Sequence, residues 1–149
     1  MKTITNEQQL NDELGRITIL FLENTAEKFY KEWYGRLEED WYAVYEPKQY
    51  QRTEAILRSI IKTRVVRVGN KYDIEVYSDL DIMNQWHPKP DEIDGKDGEA
   101  IRDIIEKTGF SFGDVERKPA HAFEQAIESL RNSFYAYIKL EFKKIGKII

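Results

Sequence analysis

Apolar residues recur at spacings of three and four from the start of the chain. Leu10, Leu14, Ile17 and Phe21 form one stripe, and after a one-residue drift Leu22, Ala26, Phe29, Trp33, Leu37 and Trp41 continue it. This is the period of an α-helix with one apolar face. Thr5 with Gln8 three residues on fits a capping box and predicts the helix start. Pro47 predicts an end by Tyr45, because the residue before a proline is pushed out of the helical region. Gly15 and Gly35 each weaken such a helix by about 1 kcal/mol against Ala, and mark places for a bend or a break. Phe123, Ile127, Leu130, Phe134, Ile138, Phe142 and Ile145 repeat the same spacing, which predicts a second long helix with Pro119 near its first turn and Gly146 at its end.

The pattern between these helices is different. Tyr50 to Ile61 reads as a short helix, with Ala55, Ile56, Leu57, Ile60 and Ile61 set among polar residues. Val65, Val66 and Val68, then Tyr72, Ile74 and Val76 alternating with Asp73 and Glu75, predict two strands, and Gly69-Asn70 between them predicts the tight reversal of a β-hairpin. Val66, Val68, Tyr72, Ile74 and Val76 are expected to face inward and Arg67, Asp73 and Glu75 outward, with Val65 the exception on the outer face. A long loop is expected over about 78–98, followed by a short helix from Glu99 to Lys107 ended by Thr108-Gly109, and a turn or short strand at Phe110-Ser111-Phe112. The fold class is α+β: long N-terminal and C-terminal amphipathic helices packed on a small antiparallel sheet that contains the hairpin, in a single domain over 1–149.

Composition narrows the chemistry. The 149 residues are 41% hydrophobic, enough for one modest core, and 23 Lys+Arg against 27 Asp+Glu leave a net charge of −4, which disfavours sequence-independent nucleic-acid binding. Arg64, Arg67 and Lys71, near Tyr72 and Tyr77, are interrupted by Asp73 and Glu75 and read as a solvated strand face. The absence of Cys removes disulfides, thiolate metal sites and cysteine nucleophiles. His87 and His121 alone do not make a zinc site, and the acidic run from Asp91 to Gly98 misses the calcium-loop register. Gly109 and Gly113 lack the Gly-Lys-Ser/Thr ending of a phosphate loop, and Ser59, Ser78 and Ser111 lie in no nucleophile elbow. The expectation is a protein that is not an enzyme and takes no cofactor or metal; a hydrolase using Asp79, Asp81 and His87 is the weakest alternative. Apolar runs such as Ile19 to Leu22 are far too short for a membrane span, and no signal core follows Met1-Lys2-Thr3, so synthesis in the cytoplasm with no membrane partner is expected.

Aromatic residues make up 13% of the chain. Phe29, Trp33, Trp41 and Tyr45 sit at core spacing, but Tyr30, Tyr34 and Tyr42 widen the arc beyond one buried stripe, either as one extended core or as a contact between subunits. Trp86 and His87, beside Pro88, are a second candidate contact, an aromatic anchor in a loop that orders against another subunit.

The stretch Glu46 to Ile60, with Tyr50, Arg52, Thr53, Ile56 and Ser59, resembles the Tyr-x-Arg-Thr-x-x-Leu-x-x-Ser pattern of the head-tail joining, neck or tail-completion minor virion proteins of tailed phages; Ile56 stands where the pattern has Leu. Val76-Tyr77-Ser78-Asp79 and Asn84-Gln85-Trp86-His87-Pro88 are similar to that family's strand end and loop, and Pro119 with Phe123 is similar to the Pro-Phe that opens its last helix, with the two residues separated here. The resemblance implies a non-enzymatic structural protein of the virion neck or tail, made in the bacterial host cytoplasm, whose partners are itself, in rings of six or twelve copies, and other neck, tail or connector proteins. A small acidic binding protein of immunity or antitoxin type is the alternative from another class.

Overall fold

The computed structural model describes residues 4–44, 54–83, 98–112 and 115–145. Helix α1 (Glu7–Leu37) begins one residue later than the Thr5 capping box predicts. Asn6 is the N-cap, its side-chain oxygen accepting from the Gln9 N–H at 2.9 Å, while Thr5 donates its N–H and hydroxyl to Gln9 Oε1. The helix runs unbroken through Gly15 and Gly35, then widens into a π-helical turn at Glu38–Tyr42, closed by the Ala43 N–H donating to the Glu38 carbonyl five residues back at 2.9 Å. The wider turn buries both Trp41 and Tyr42 and leaves Glu38, Glu39 and Asp40 in solvent.

Helix α2 (Ala55–Arg58) is a single turn, shorter than predicted, because Ile60 and Ile61 leave it to open strand β1 (Ile60–Lys62). Strand β1 pairs antiparallel with β4 (Val76–Ser78), and β2 (Val66–Val68) pairs with β3 (Lys71–Asp73) across Gly69-Asn70. Thr63 and Glu75 join the two pairs into one ribbon, the Thr63 N–H donating to the Glu75 carbonyl and the Glu75 N–H to Thr63 Oγ1, each at 2.9 Å. The hairpin and its turn stand where the alternation places them, but the facing of its first strand is reversed. With a two-residue turn, Val68 pairs Lys71, Arg67 pairs Tyr72 and Val66 pairs Asp73, so the two valines share a face with Lys71 and Asp73 rather than with Tyr72. Val66 and Val68 are 55% and 66% exposed, whereas Val65, Tyr72, Ile74 and Val76 are half-buried.

Part of the predicted loop is helical. Helix α3 (Leu80–Met83) is one turn whose first N–H groups are capped by Asp79, Oδ1 accepting from Asp81 at 3.0 Å and Ile82 at 3.1 Å; the rest of that loop lies outside the described residues. Helix α4 (Gly98–Asp103) continues into a second π-helical turn, Ile104–Thr108, and stops at Gly109, where φ is 72°. Strand β5 (Phe110–Phe112) pairs with β6 (Val115–Arg117), a strand too short to show a period in the sequence. Helix α5 (Ala122–Ile145) starts three residues after Pro119 rather than beside it, because His121, at φ 50°, turns the chain in the left-handed region just before the first helical residue. Gly146 lies outside the described residues.

Helices α1 and α5 pack antiparallel. Phe123 meets Phe29 at 5.7 Å and Trp33 at 4.8 Å between ring centroids, and Phe21 meets Phe134 and Tyr137 further along. The core gathers around the C-terminal half of α1, where Trp33, Leu37 and Trp41 pack with Ile56, Ile101, Ile105 and the small residues Ala122 and Ala126. The Arg117 guanidinium lies 5.0 Å above the buried Trp41 ring, so β6 closes this end. The α+β architecture follows: two long helices with short antiparallel strands beside them.

Candidate assembly surface

The aromatic arc on α1 divides. Tyr30 and Tyr34 are half-buried against the edge of the core with their rings 6.1 Å apart, and burial pushes the Tyr34 hydroxyl above the usual phenol range, with Glu38, Glu54 and Tyr30 adding in the same direction. Tyr42 is only 8% exposed and belongs to the core, so it offers no surface to a second subunit in this conformation. Trp86 and His87 lie outside the described residues, as do Tyr50, Arg52 and Thr53 of the phage-like motif. The other two motif positions are packing positions: Ile56 and Ser59 are fully buried, and the Ser59 hydroxyl donates to the Ile56 carbonyl at 2.6 Å and lies 3.0 Å from Ser78 Oγ.

Of the two carboxylates considered for chemistry, Asp81 is exposed and Asp79 has a structural role. Asp79 caps α3. Glu106, which the sequence does not single out, is buried where α1, the second π-helical turn and α5 meet. Its Oε1 accepts from Trp33 Nε1–H at 3.1 Å and its Oε2 from the Phe123 N–H at 3.0 Å, at the positive end of α5. The signal for this role was the start of α5 itself: Pro119-Ala120-His121-Ala122 carries none of the usual capping residues, so an acceptor has to come from another element. Among the described residues no group of three His, Cys, Asp or Glu side chains could hold a metal ion, and no helix is long and apolar enough to cross a membrane. A shallow open groove between α1 and α5 is lined by Arg36, Gln125, Glu128, Ser129, Asn132 and Ser133. In it the Ser133 hydroxyl accepts from Lys28 Nζ at 2.7 Å and donates to the Ser129 carbonyl at 2.9 Å.

The surface that remains is apolar and charged. On α1, Leu10, Leu14 and Leu20 are exposed, as are Tyr135 and Leu140 on α5 and Val66 and Val68 on the ribbon. Tyr72, on the ribbon's other face, approaches α1 so closely that a Cβ on Gly15 would sit 2.6 Å from its hydroxyl oxygen. Lys62 pairs with Glu27 and ties the base of the ribbon to the same helix. Together with a second hydrogen bond from Lys31, this holds the Glu27 carboxyl below the usual range. Arg64, Arg67 and Lys71 on the ribbon and Lys139 and Lys143 on α5 are exposed beside the N-terminal half of α1 together with Glu7, Asp12, Asp73 and Glu75, and Glu38, Glu39 and Asp40 are exposed at its other end.

A small α+β protein is the class that this fold defines. Within that class the chain belongs to the YomN family, whose model matches residues 6–144. YomN is a Bacillus phage-region protein. No curated protein and no solved structure matches it.

Proposed function

We propose that this protein is a structural component of a tailed-phage particle, a subunit that forms a ring at the junction of head and tail through contacts with its own copies and with neck, tail or connector proteins. The observation that carries this reading is the apolar surface left uncovered by the monomer: Leu10 and Leu14 on the α1 stripe, Tyr135, which is 86% exposed, and the two outward valines of the ribbon. Large apolar groups exposed on a charged molecule suit burial against a neighbour. The sequence resemblance supplies the location, and family membership supplies the phage context. The commitment of Asp79 and Glu106 to structural hydrogen bonds supports a role without catalysis.

The test is to disrupt the gene in a phage that carries it and examine the particles by electron microscopy, with mass spectrometry of purified wild-type virions. The expected result is the protein in the wild-type particle and separate heads and tails without it. Normal particles lacking the protein, together with its copurification with a toxin, would replace this reading with the immunity or antitoxin one.

A further inference from the structure

Between its two paired ends the ribbon has sides of unequal length. From the Lys62–Val76 pair to the Val66–Asp73 pair, one side runs through Thr63, Arg64 and Val65 and the other through Ile74 and Glu75 only. Three residues opposite two make a β-bulge. There the Glu75 N–H donates to the Thr63 hydroxyl at 2.9 Å, in place of a backbone carbonyl. The side from Lys71 to Ser78 alternates without a break: Tyr72, Ile74, Val76 and Ser78 are half-buried and Lys71, Asp73, Glu75 and Tyr77 exposed. The opposite side changes phase at the bulge. Ile60 and Lys62 lie on the inner face, across from Ser78 and Val76, but beyond the bulge it is Val65 and Arg67 that do, with Arg67 across from Tyr72.

We propose that the ribbon exchanges between two registers, its extra residue held either in this bulge or in the turn. Moving Arg64–Val68 by one residue against a fixed partner continues the Lys62–Val76 register without a bulge. Arg64 then faces Ile74, Val66 faces Tyr72, and Arg67 pairs with Lys71 across a three-residue loop, Val68-Gly69-Asn70. Such a loop is a common hairpin connection, and its last residue takes the left-handed conformation, which Asn tolerates. The sequence brings the two registers close in energy. Arg64-Val65-Val66-Arg67 reads the same in both directions, so the inner face exchanges Val65 and Arg67 for Arg64 and Val66. Register is fixed by the side chains that a slip would move between faces, and this slip moves like for like. Tyr72 stays against Gly15 in both registers, because the side from Lys71 to Ser78 does not move. What changes is the outer face, which carries Val66 and Val68 in the first register and Val65 and Arg67 in the second. A neighbour that buries the valine pair therefore selects the first register. The exchange itself does not depend on the assembly proposed above.

NMR of the full chain tests this, because the registers differ in which residue's α-proton lies against that of Tyr72: Arg67 in the first, Val66 in the second. In the wild type, saturation-transfer experiments should find a minor state in residues 63–73. Gly69→Ala should raise its population at least about fivefold. Gly69 has φ 62° in the two-residue turn, which an L side chain resists, whereas the middle residue of a three-residue loop is helical; a Cβ there meets nothing within 4 Å, so the change acts through the backbone alone. Deleting Arg64 removes the extra residue and should abolish the minor state while keeping Arg67 against Tyr72. Circular dichroism checks that both variants keep their helices, and the wild-type experiment stands without either. Arg67 against Tyr72 as the sole pairing in both the wild type and Gly69→Ala overturns the proposal, and so does a minor state that survives the deletion. Each result is read on the isolated protein, so it leaves the outcome of the virion test separate.

Discussion

Trp33 and Glu106, 73 residues apart in the chain, are joined in the core by a hydrogen bond of 3.1 Å from the indole N–H to the carboxylate, whose other oxygen accepts the Phe123 N–H at the start of α5. One side chain thus links α1, the second π-helical turn and α5. Glu106→Ala strips a buried indole N–H and a helix-terminal N–H of their acceptor and should cost about 2–4 kcal/mol, read as a fall in the urea midpoint. Glu106→Gln keeps one acceptor oxygen and should lose about half as much. Equal losses in the two variants would mean that the packing of the side chain, and not its oxygens, matters.

Gly15 and Gly35 lie in the same helix but differ in surroundings. A Cβ at Gly35 meets nothing within 4 Å, so Gly35→Ala should gain about 1 kcal/mol of stability from helix propensity alone. At Gly15 the same change drives a methyl group to 2.6 Å from the Tyr72 hydroxyl oxygen, so the gain should vanish or reverse as the ribbon is pushed off α1. Removing that oxygen with Tyr72→Phe should return part of the gain. Thermal melts of the three single variants and of the Gly15→Ala/Tyr72→Phe pair measure the coupling.

Acid should loosen the ribbon's attachment. The Glu27 carboxyl is held below its ordinary value of 4.5 first by the hydrogen bond from Lys62 and then by that from Lys31. As pH falls, the unfolded chain takes up this proton before the folded one, so the stabilisation is complete above the ordinary value and is lost as pH drops through the lower folded value. Asp103, lowered chiefly by its hydrogen bond from Lys107, adds in the same direction. Both carboxylates are well exposed, so the effect is small. Lys62→Gln should flatten the acid limb of stability against pH, measured by urea midpoints through the carboxylate range, and an unchanged slope would put the acid sensitivity elsewhere.

The ribbon's register makes a fourth prediction. Val68→Thr changes an outward, exposed position and should alter stability by less than about 0.5 kcal/mol, whereas Tyr72→Ala removes the ring that rests on α1 and should cost about 1–2 kcal/mol. Comparable losses from both would contradict the pairing of Val68 with Lys71.

Much of this architecture is legible in the chain before folding is considered. The three-four stripes place both long helices, because a helix that must bury one face repeats apolar residues at its own period, and Gly69-Asn70 marks the reversal because few other pairs adopt its backbone angles. The facing of the ribbon was missed for a geometric reason. Each run was read for its own apolar side, but the two-residue turn couples them, so setting Tyr72 against α1 forces Val66 and Val68 outward. The exposed apolar groups were not legible in place: the tyrosine arc drew attention to Tyr42, which the π-helical turn carries into the core, while the exposed Leu10 and Leu14 read as ordinary members of the helical stripe and Tyr135 stands outside it. Glu106 shows the remaining limit. A carboxylate in a short helix looks solvated until a second helix brings its unsatisfied N–H groups to it, and that approach is a property of the assembled fold.

The π-helical turn at Glu38–Tyr42 holds one residue more than an α-helical turn would, fixed by the Ala43 N–H reaching back to Glu38. Residues on either side of such an insertion are out of phase with a continuous α-helix. Deleting one residue here would restore the ordinary winding and rotate everything that follows by about 100° around the α1 axis. The compass bearing on which the polypeptide departs from its longest helix is therefore set by a single surplus amino acid.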